Sequence, residues 1–196
     1  MDNLHRELAP VSDAAWAQIG EEAARTLKRH LAAQPVKDAA RQLAFAEDRA
    51  IIDGYPAAGI EGIRPGATNP PMDLPKDVRE YPAAVAHALG QLREAGVEGP
   101  YSVLLSAEAY IAVSETSDHG YPVLEHIQRL VSGDIVWAPA ISGAVALTTR
   151  GGDFSLQLGQ DASIGYLSHT ATEVQLYLQE TLTFLMLTGE AAVSLT

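Results

Sequence analysis

The chain has 196 residues, of which 47% are hydrophobic and 19% are charged, and its formal net charge is −12 at pH 7. A chain of this length can bury about 70% of its unfolded surface, enough for one good core or two small ones, and its composition excludes general disorder. The negative charge argues against nucleic-acid binding, because the largest basic group is only Arg25, Lys28 and Arg29.

The sequence contains neither a long apolar run nor a cysteine. A membrane span needs about eighteen consecutive apolar residues, and a signal peptide needs an apolar stretch where this chain reads MDNLHRELAP. We therefore predict a soluble cytosolic protein with no membrane contact. The absence of cysteine excludes disulfides, thiol catalysis and thiolate metal sites.

Two amphipathic helices are predicted at the start of the chain. Ser12 is a candidate N-cap, and apolar residues recur at three- and four-residue intervals as far as Leu31. Pro35 suits the first turn of a second helix, whose apolar stripe ends at Gly54. The first stripe could dock on its own domain, or it could line a groove for a partner peptide beside Leu27 and Leu31.

The middle of the chain mixes helices with strands. Residues 55–77 are rich in Pro and Gly and are predicted to form a surface loop. Apolar spacing then predicts helices over residues 82–95, 107–113 and 122–131, and strands over residues 101–106 and 134–137.

The last third is dominated by strands. Apolar residues alternate on both sides of Arg150-Gly151-Gly152-Asp153, which predicts a hairpin that turns at the two glycines. The alternation continues over residues 174–187, so we expect a sheet of three or more antiparallel strands at the end of the chain. Helices and strands followed mainly by strands favour the α+β class.

Few residues are candidates for chemistry. Ser117, Asp118 and His119 are the residue types of a hydrolytic triad, but sequence neighbours cannot form that relay with one another. His119, Glu125 and His126 lack the spacing of a metal-binding motif. Glu180 interrupts the apolar parity of the last long strand, and an ion pair with an arginine is one hypothesis for it.

Long segments of the chain resemble the encapsulin shell proteins of the actinobacterial type. They are MDNLHRELAPVSDAAWAQI at the N-terminus, SETSDHGYPVLEHIQRLVSGDIVWAPAI over residues 114–141, TTRGGDFSLQLGQDASIGYLSH over residues 148–169, and LYLQETLTFL over residues 176–185. The resemblance is colinear over almost the whole chain.

The resemblance implies a structural protein with the HK97-type phage-capsid fold, which assembles into an icosahedral compartment in the bacterial cytosol. Family members enclose cargo enzymes, commonly dye-decolorising peroxidases or ferritin-like proteins, through C-terminal targeting peptides. The shell itself is not an enzyme, and the chain has no residue that matches a cofactor site. An oligomer that forms no closed shell, or a binding module that keeps the cargo groove, is the alternative.

The resemblance also assigns domains and sites. Residues 1–81 and 140–196 would form a peripheral domain, and residues 82–139 an axial domain. A pore loop would contain Glu115, Asp118, His119 and Tyr121, whose acidic character favours cations. A groove for cargo peptides would contain Leu27, Leu31, Asp161, Ile164 and Tyr166.

One family element is missing from this chain. Family members have an extended arm and a long hairpin, the E-loop, between the first helix and the long spine helix. Here HLAAQPVKDAA over residues 30–40 joins the two helices almost directly. Because the E-loop normally pairs with a neighbouring subunit, its loss predicts altered assembly.

Overall fold

A computed structural model describes residues 34–196 of the chain. Contacts divide the chain into residues 1–41 and residues 42–196. Of the first unit, the structure describes residues 34–41, which are helical. The predicted first helix, with Leu27 and Leu31, lies outside the described residues.

The spine helix, α1 (Gln34–Ile52), confirms the prediction that a helix begins at Pro35 and stops before Gly54. Gly54 has φ of +86°, and a Cβ at this position would clash with the carbonyl oxygen of Glu61. Only glycine fits this turn, because it combines a left-handed backbone with a close approach of another chain segment. The helix therefore ends where the sequence predicts.

The segment after α1 is less irregular than predicted. It contains a short helix, α2 (Ile63–Gly66), and a 3₁₀ turn at Pro56–Ala58. Arg64 holds this segment to α1, since it donates to Asp53 at 2.9 Å and also to the backbone oxygen of Ser142. Arg49 likewise donates to the carbonyl of Ala140 at 3.1 Å.

A mixed four-stranded sheet and three helices follow; the helices and the first three strands of the sheet in chain order were predicted to within a few residues, whereas the last strand was not predicted. The helices are α3 (Tyr81–Glu94), α4 (Ala107–Glu115) and α5 (Val123–Leu130). The sheet has the order β4-β1-β5-β8, and its strands are β1 (Tyr101–Leu105), β4 (Ile135–Trp137), β5 (Ala144–Thr148) and β8 (Ala192–Leu195). Strand β1 is parallel to β4 and antiparallel to β5.

Strands β1, β5 and β8 of the sheet are buried on both faces, whereas β4 is partly exposed. One face packs against α3 and α5, where Leu89, Leu92 and Ile127 are fully buried. The other face packs against the end of α1, where Val145 of β5 meets Ile52. Every residue of β5 is buried, because this strand lies inside the sheet and contributes to both hydrophobic clusters.

A long two-stranded ribbon departs from this body. It consists of β6 (Phe154–His169) and β7 (Val174–Met186), which pair with each other in antiparallel register. The predicted sheet of three or more strands is therefore wrong for residues 34–196, in which the ribbon has two strands. At the base of the ribbon, Phe184 is buried in the second cluster.

The glycines at 151 and 152 form a corner and not the predicted hairpin. Gly151 and Gly152 have φ of +89° and +85°, as their turn role requires, but β5 pairs with β1 and β8, whereas β6 pairs with β7. The hairpin prediction was wrong because both strands alternate, and alternation does not say which strands are partners. The chain instead passes here from the buried sheet to the ribbon.

Asp153 fastens this corner. Its side chain is only 3% exposed, and it accepts hydrogen bonds from Arg150 Nε at 2.9 Å and from Arg150 Nη2 at 2.8 Å. Its backbone oxygen accepts from the amides of Leu187 and Thr188, which directly follow β7 at the base of the ribbon. The hydrogen bonds from Arg150 hold the pKa of Asp153 below its usual value, despite the opposing effect of burial.

The sheet also crosses the predicted domain boundary. Residues 140–196 were assigned to the peripheral domain, yet β5 and β8 belong to the same sheet as β1 and β4. Both strands complete the cluster around α3 and α5. These two strands therefore go with the axial residues, and the division in other respects stays a prediction.

Across residues 34–196, every helix is too short or too polar to cross a lipid bilayer.

Replacing Asp153 with Asn should lower the free energy of unfolding by about 1–3 kcal/mol at pH 7, because the charge-assisted bonds from Arg150 weaken. A carboxyl whose folded pKa is depressed stabilises the protein above its unfolded pKa, and this contribution is lost as the pH falls below about 4. Denaturant unfolding at pH 7 and pH 3 measures both effects. Asp73→Asn, at an exposed position, is the control; a D153N deficit that is equal at both pH values would contradict the account.

Candidate functional site

Two surfaces contain the residues that the sequence analysis singled out. The first is a tight hairpin, β2 (Ser117–Asp118) and β3 (Tyr121–Pro122), between α4 and α5. His119 and Gly120 form its two-residue turn, with φ of +47° and +81°. Two successive positive φ values are typical of the type I′ turns that join two-residue hairpins. The predicted pore loop is therefore in part an ordered hairpin.

The hairpin is braced from α5. The guanidinium of Arg129 lies 4.6 Å from the ring centroid of Tyr121 and also donates to the Tyr121 hydroxyl. The ring of His126 lies 4.9 Å from the same ring, centroid to centroid. Tyr121 is thus held by a cation–π contact and a second ring.

The structure brings the predicted pore residues to one end of the molecule. His119 is at the tip with its side chain 95% exposed, and the Asp118 carboxylate lies 3.7 Å from its Nε2 atom. Glu115 is exposed at the end of α4, directly before the hairpin. Tyr121, by contrast, is half-buried and its ring is covered by the guanidinium of Arg129. It therefore supports the tip.

The second surface is the ribbon, whose two faces differ in polarity. Cross-strand partners share a face, and on one face five pairs are apolar on both strands, although this face also carries Glu180 and the pair His169–Val174. The pairs are Phe154–Met186, Leu156–Phe184, Leu158–Leu182, Ile164–Leu178 and Tyr166–Leu176. The pairs of the opposite face are mainly Ser, Gln and Thr. We call these the apolar face and the polar face of the ribbon.

The apolar face is open along the outer part of the ribbon. Leu158, Ile164 and Tyr166 are 49%, 52% and 45% exposed. Ile164 and Tyr166 of the predicted cargo groove are therefore side by side on this face, and Tyr166 also hydrogen-bonds to His169. Asp161 lies at the register shift between Gln160 and Ser163 and is exposed, with one carboxylate oxygen accepting from the Ala162 amide at 2.7 Å.

Carboxylates gather where the ribbon passes α1. Burial raises the pKa of Glu47 on α1, and the negative charges of Glu180, Asp48 and Asp161 raise it further. Within residues 34–196 no ion pair of Glu180 occurs, and its charged neighbours include Glu47. An arginine of a neighbouring subunit as the partner of Glu180 stays a prediction. No Lys or Arg is present in residues 151–196, so the ribbon is acidic as well as apolar.

A third surface was not anticipated from the sequence. Val136 and Trp137 of β4 are 41% and 56% exposed, and within residues 34–196 this strand pairs with β1 alone. They line an apolar cleft of about 270 Å³ together with Ile51, Ile63 and Asp48. Burial raises the pKa of Asp48. The strand was predicted, but periodicity over three residues cannot show which side chains stay uncovered.

The described residues contain no group of three or more His, Cys, Asp or Glu that could hold a metal ion.

Replacing Gly120 with Val should destabilise the tip by about 1–2 kcal/mol, because a β-branched residue is strained at positive φ. A Cβ has open space at this position, so only the backbone conformation opposes the change. Hydrogen exchange of residues 115–122 should become faster, whereas His119→Asn should leave it unchanged, since Asn tolerates this conformation. Unchanged exchange in G120V would contradict the turn assignment.

The sequence comparisons agree with one another. A family model described as an encapsulating protein for peroxidase matches residues 1–34 and 32–183. The type 1 encapsulin shell protein of Rhodococcus erythropolis is 47% identical over 263 aligned positions, which cover all of both chains. Those of Mycolicibacterium paratuberculosis and Mycobacterium tuberculosis are 49% and 48% identical, covering all of this chain and 100% and 99% of theirs. These relatives are structural shell proteins and not enzymes.

Solved structures support the fold. A chain of the virus-like particle from Pyrococcus furiosus has a TM-score of 0.58 at 15% identity, covering 76% of this chain and 62% of its own. A chain of Mycobacterium phage Che8 has a TM-score of 0.52 at 14% identity, covering 98% of this chain and 66% of its own. With the sequence relatives, these similarities show that the chain belongs to the encapsulin shell protein family and has its HK97-type, capsid-like α+β fold.

Proposed function

We propose that this chain is the subunit of a self-assembling shell that encloses cargo enzymes in the bacterial cytosol. The observation that carries the proposal is the match along the whole chain to three shell proteins at 47–49% identity. Exposed apolar side chains on the ribbon and on β4 support it, because clustered apolar surface on a soluble subunit usually marks an interface.

We also propose that the E-loop is absent from this chain. The alignment with the R. erythropolis protein has 263 positions and this chain has 196 residues, so at least 67 positions have no residue here. The family model matches in two pieces that meet at residues 32–34, and this break supports a deletion directly before α1. Closed shells must then form with fewer contacts between subunits than in the relatives.

The apolar face of the ribbon is the proposed receptor for cargo. Ile164 and Tyr166 offer adjacent exposed apolar side chains, with Asp161 beside them. Leu27 and Leu31 are assigned to the same groove by the family resemblance. The ligand would be the C-terminal targeting peptide of a dye-decolorising peroxidase or a ferritin-like protein, whose apolar residues would bind this face.

The hairpin tip is the proposed pore element. Copies assembled around a symmetry axis would bring together several sets of Glu115, Asp118 and His119, all of which are solvent-accessible in the subunit. A ring of carboxylates attracts cations and repels anions. Tyr121 would hold the tip in place through its contact with Arg129.

Light scattering combined with negative-stain microscopy tests the shell. Uniform hollow particles are expected, and their yield should rise with salt, because screening reduces repulsion between subunits that each have a net charge of −12. A monodisperse small species at all salt concentrations would contradict the shell. That result would favour the alternative of a binding module that keeps the cargo groove.

Replacing Ile164 with Asp should abolish binding of a peroxidase targeting peptide, because it puts a charge in the middle of the apolar face. Tyr177→Asp is the matched control, since Tyr177 pairs with Gly165 on the polar face of the same ribbon and is 40% exposed. Fluorescence anisotropy with a labelled peptide measures both. Equal binding by wild type and I164D, with normal circular dichroism, would refute the assignment.

A further inference from the structure

The two strands of the ribbon differ in regularity. The register shifts at three places, between Leu158 and Gln160, between Gln160 and Ser163, and between Tyr166 and Ser168. At each shift β6 has one more residue than β7, so all the irregularity lies in β6. Strand β7 therefore runs for 13 residues without a bulge.

The free edge of β7 has little protection against pairing. Within residues 34–196, β7 pairs only with β6 and its other edge is open. Natural edge strands are usually blocked by Lys, Pro, bulges or short length. Strand β7 has no Lys, Pro or bulge, and its single charged residue, Glu180, is the one protective device that it carries.

The polarity of β7 is nearly symmetric about Glu180. If two copies of β7 pair in antiparallel register with residue 180 opposite itself, residue 178 meets residue 182, residue 176 meets residue 184, and residue 174 meets residue 186. All six positions are apolar, and they extend the apolar face. On the other face, residues 179 and 181, which are Gln and Thr, also match in polarity.

We propose that the open edge of β7 pairs with β7 of a second copy about a two-fold axis at Glu180. The result is a continuous sheet of four strands, in the order β6-β7-β7-β6, with one apolar face. A two-fold contact of this kind is isologous and compatible with closed symmetry. The inference rests on the proposed function only in expecting that copies of the chain associate.

Glu180 limits this contact. In the proposed register its carboxylate faces the same carboxylate of the second copy, and like charges directly opposite each other on a sheet are destabilising. The contact area is also small, since a strand about 44 Å long and 10 Å thick buries about 440 Å² per copy, or about 900 Å² in total. Standard stable interfaces bury about 1,200–2,000 Å². The pair is thus a weak contact that other subunit contacts must reinforce.

The charge of Glu180 should have opposite effects on two possible occupants of this edge, a second copy of β7 and a basic peptide. A basic peptide would gain from Glu180, because residues 151–196 contain no Lys or Arg and five carboxylates. Self-pairing would be weakened by Glu180. Replacing Glu180 with Gln should therefore strengthen self-association about two- to five-fold. The same change should weaken the binding of a basic peptide.

Disulfide trapping tests the register directly, because the natural chain has no cysteine. Opposite residues of an antiparallel pair have Cα atoms about 4.5–5.5 Å apart, which suits a disulfide. In the full chain, E180C should form a covalent dimer under mild oxidation. Neither Q175C alone nor L185C alone should form a covalent dimer, because residue 175 of one copy lies opposite residue 185 of the second copy. An equal mixture of Q175C and L185C should cross-link.

The pattern of cross-links decides the proposal. We expect covalent dimers of E180C and of the mixed Q175C and L185C chains. We also expect sedimentation to show stronger self-association of E180Q than of the wild type. Cross-linking of Q175C to itself, or weaker association of E180Q, would overturn the register. Particles that form without any E180C cross-link would overturn this inference but leave the shell, whereas dispersed monomers would count against the shell as well. Circular dichroism tests whether each variant is folded. If E180C does not fold, the self-association of E180Q decides the proposal.

Discussion

The structure depends on one sheet, of which strands β1, β5 and β8 are buried on both faces. Strand β5 lies inside this sheet, and all five of its residues are buried, so it joins the cluster under α3 and α5 to the cluster at the end of α1. Loss of packing on either face would affect the other through the same strand. The Arg150–Asp153 corner directs the chain from β5 into the ribbon, so the position of the ribbon depends on the sheet.

This arrangement separates a stable body from surfaces suited to assembly. The tip at His119, the cleft at Trp137 and the outer ribbon all project uncovered groups, while the core residues that support them are fully buried. A shell subunit needs this combination, because each copy must meet several neighbours and its cargo without unfolding. The alignment with the R. erythropolis protein has at least 67 positions at which this chain has no residue. The uncovered surfaces therefore become more important for association.

The sequence predicts elements better than it predicts partners. Periodicity, Pro35 and Gly54 were sufficient to locate α1, and the apolar spacing around Leu89 located α3. Strand pairing was missed, since β5 and β6 both alternate and only the tertiary structure shows that the Ala residues of β5 are buried as well. The apolar face with Ile164 and Tyr166 is visible in the sequence as a period of two. The exposure of Trp137 and the acidic surroundings of Glu180 cannot be seen in the sequence, because they arise from segments that are distant from one another along the chain.

The central claim is that this chain forms a shell in which exposed ribbons meet across two-fold axes. The most direct test is a cryo-electron microscopy reconstruction of the wild-type assembly, at a resolution that separates the strands of a sheet. The account predicts a closed particle in which β7 lies antiparallel to β7 of a second subunit, with Glu180 at the two-fold axis. A closed particle in which another segment occupies that edge, or an absence of particles, would contradict it.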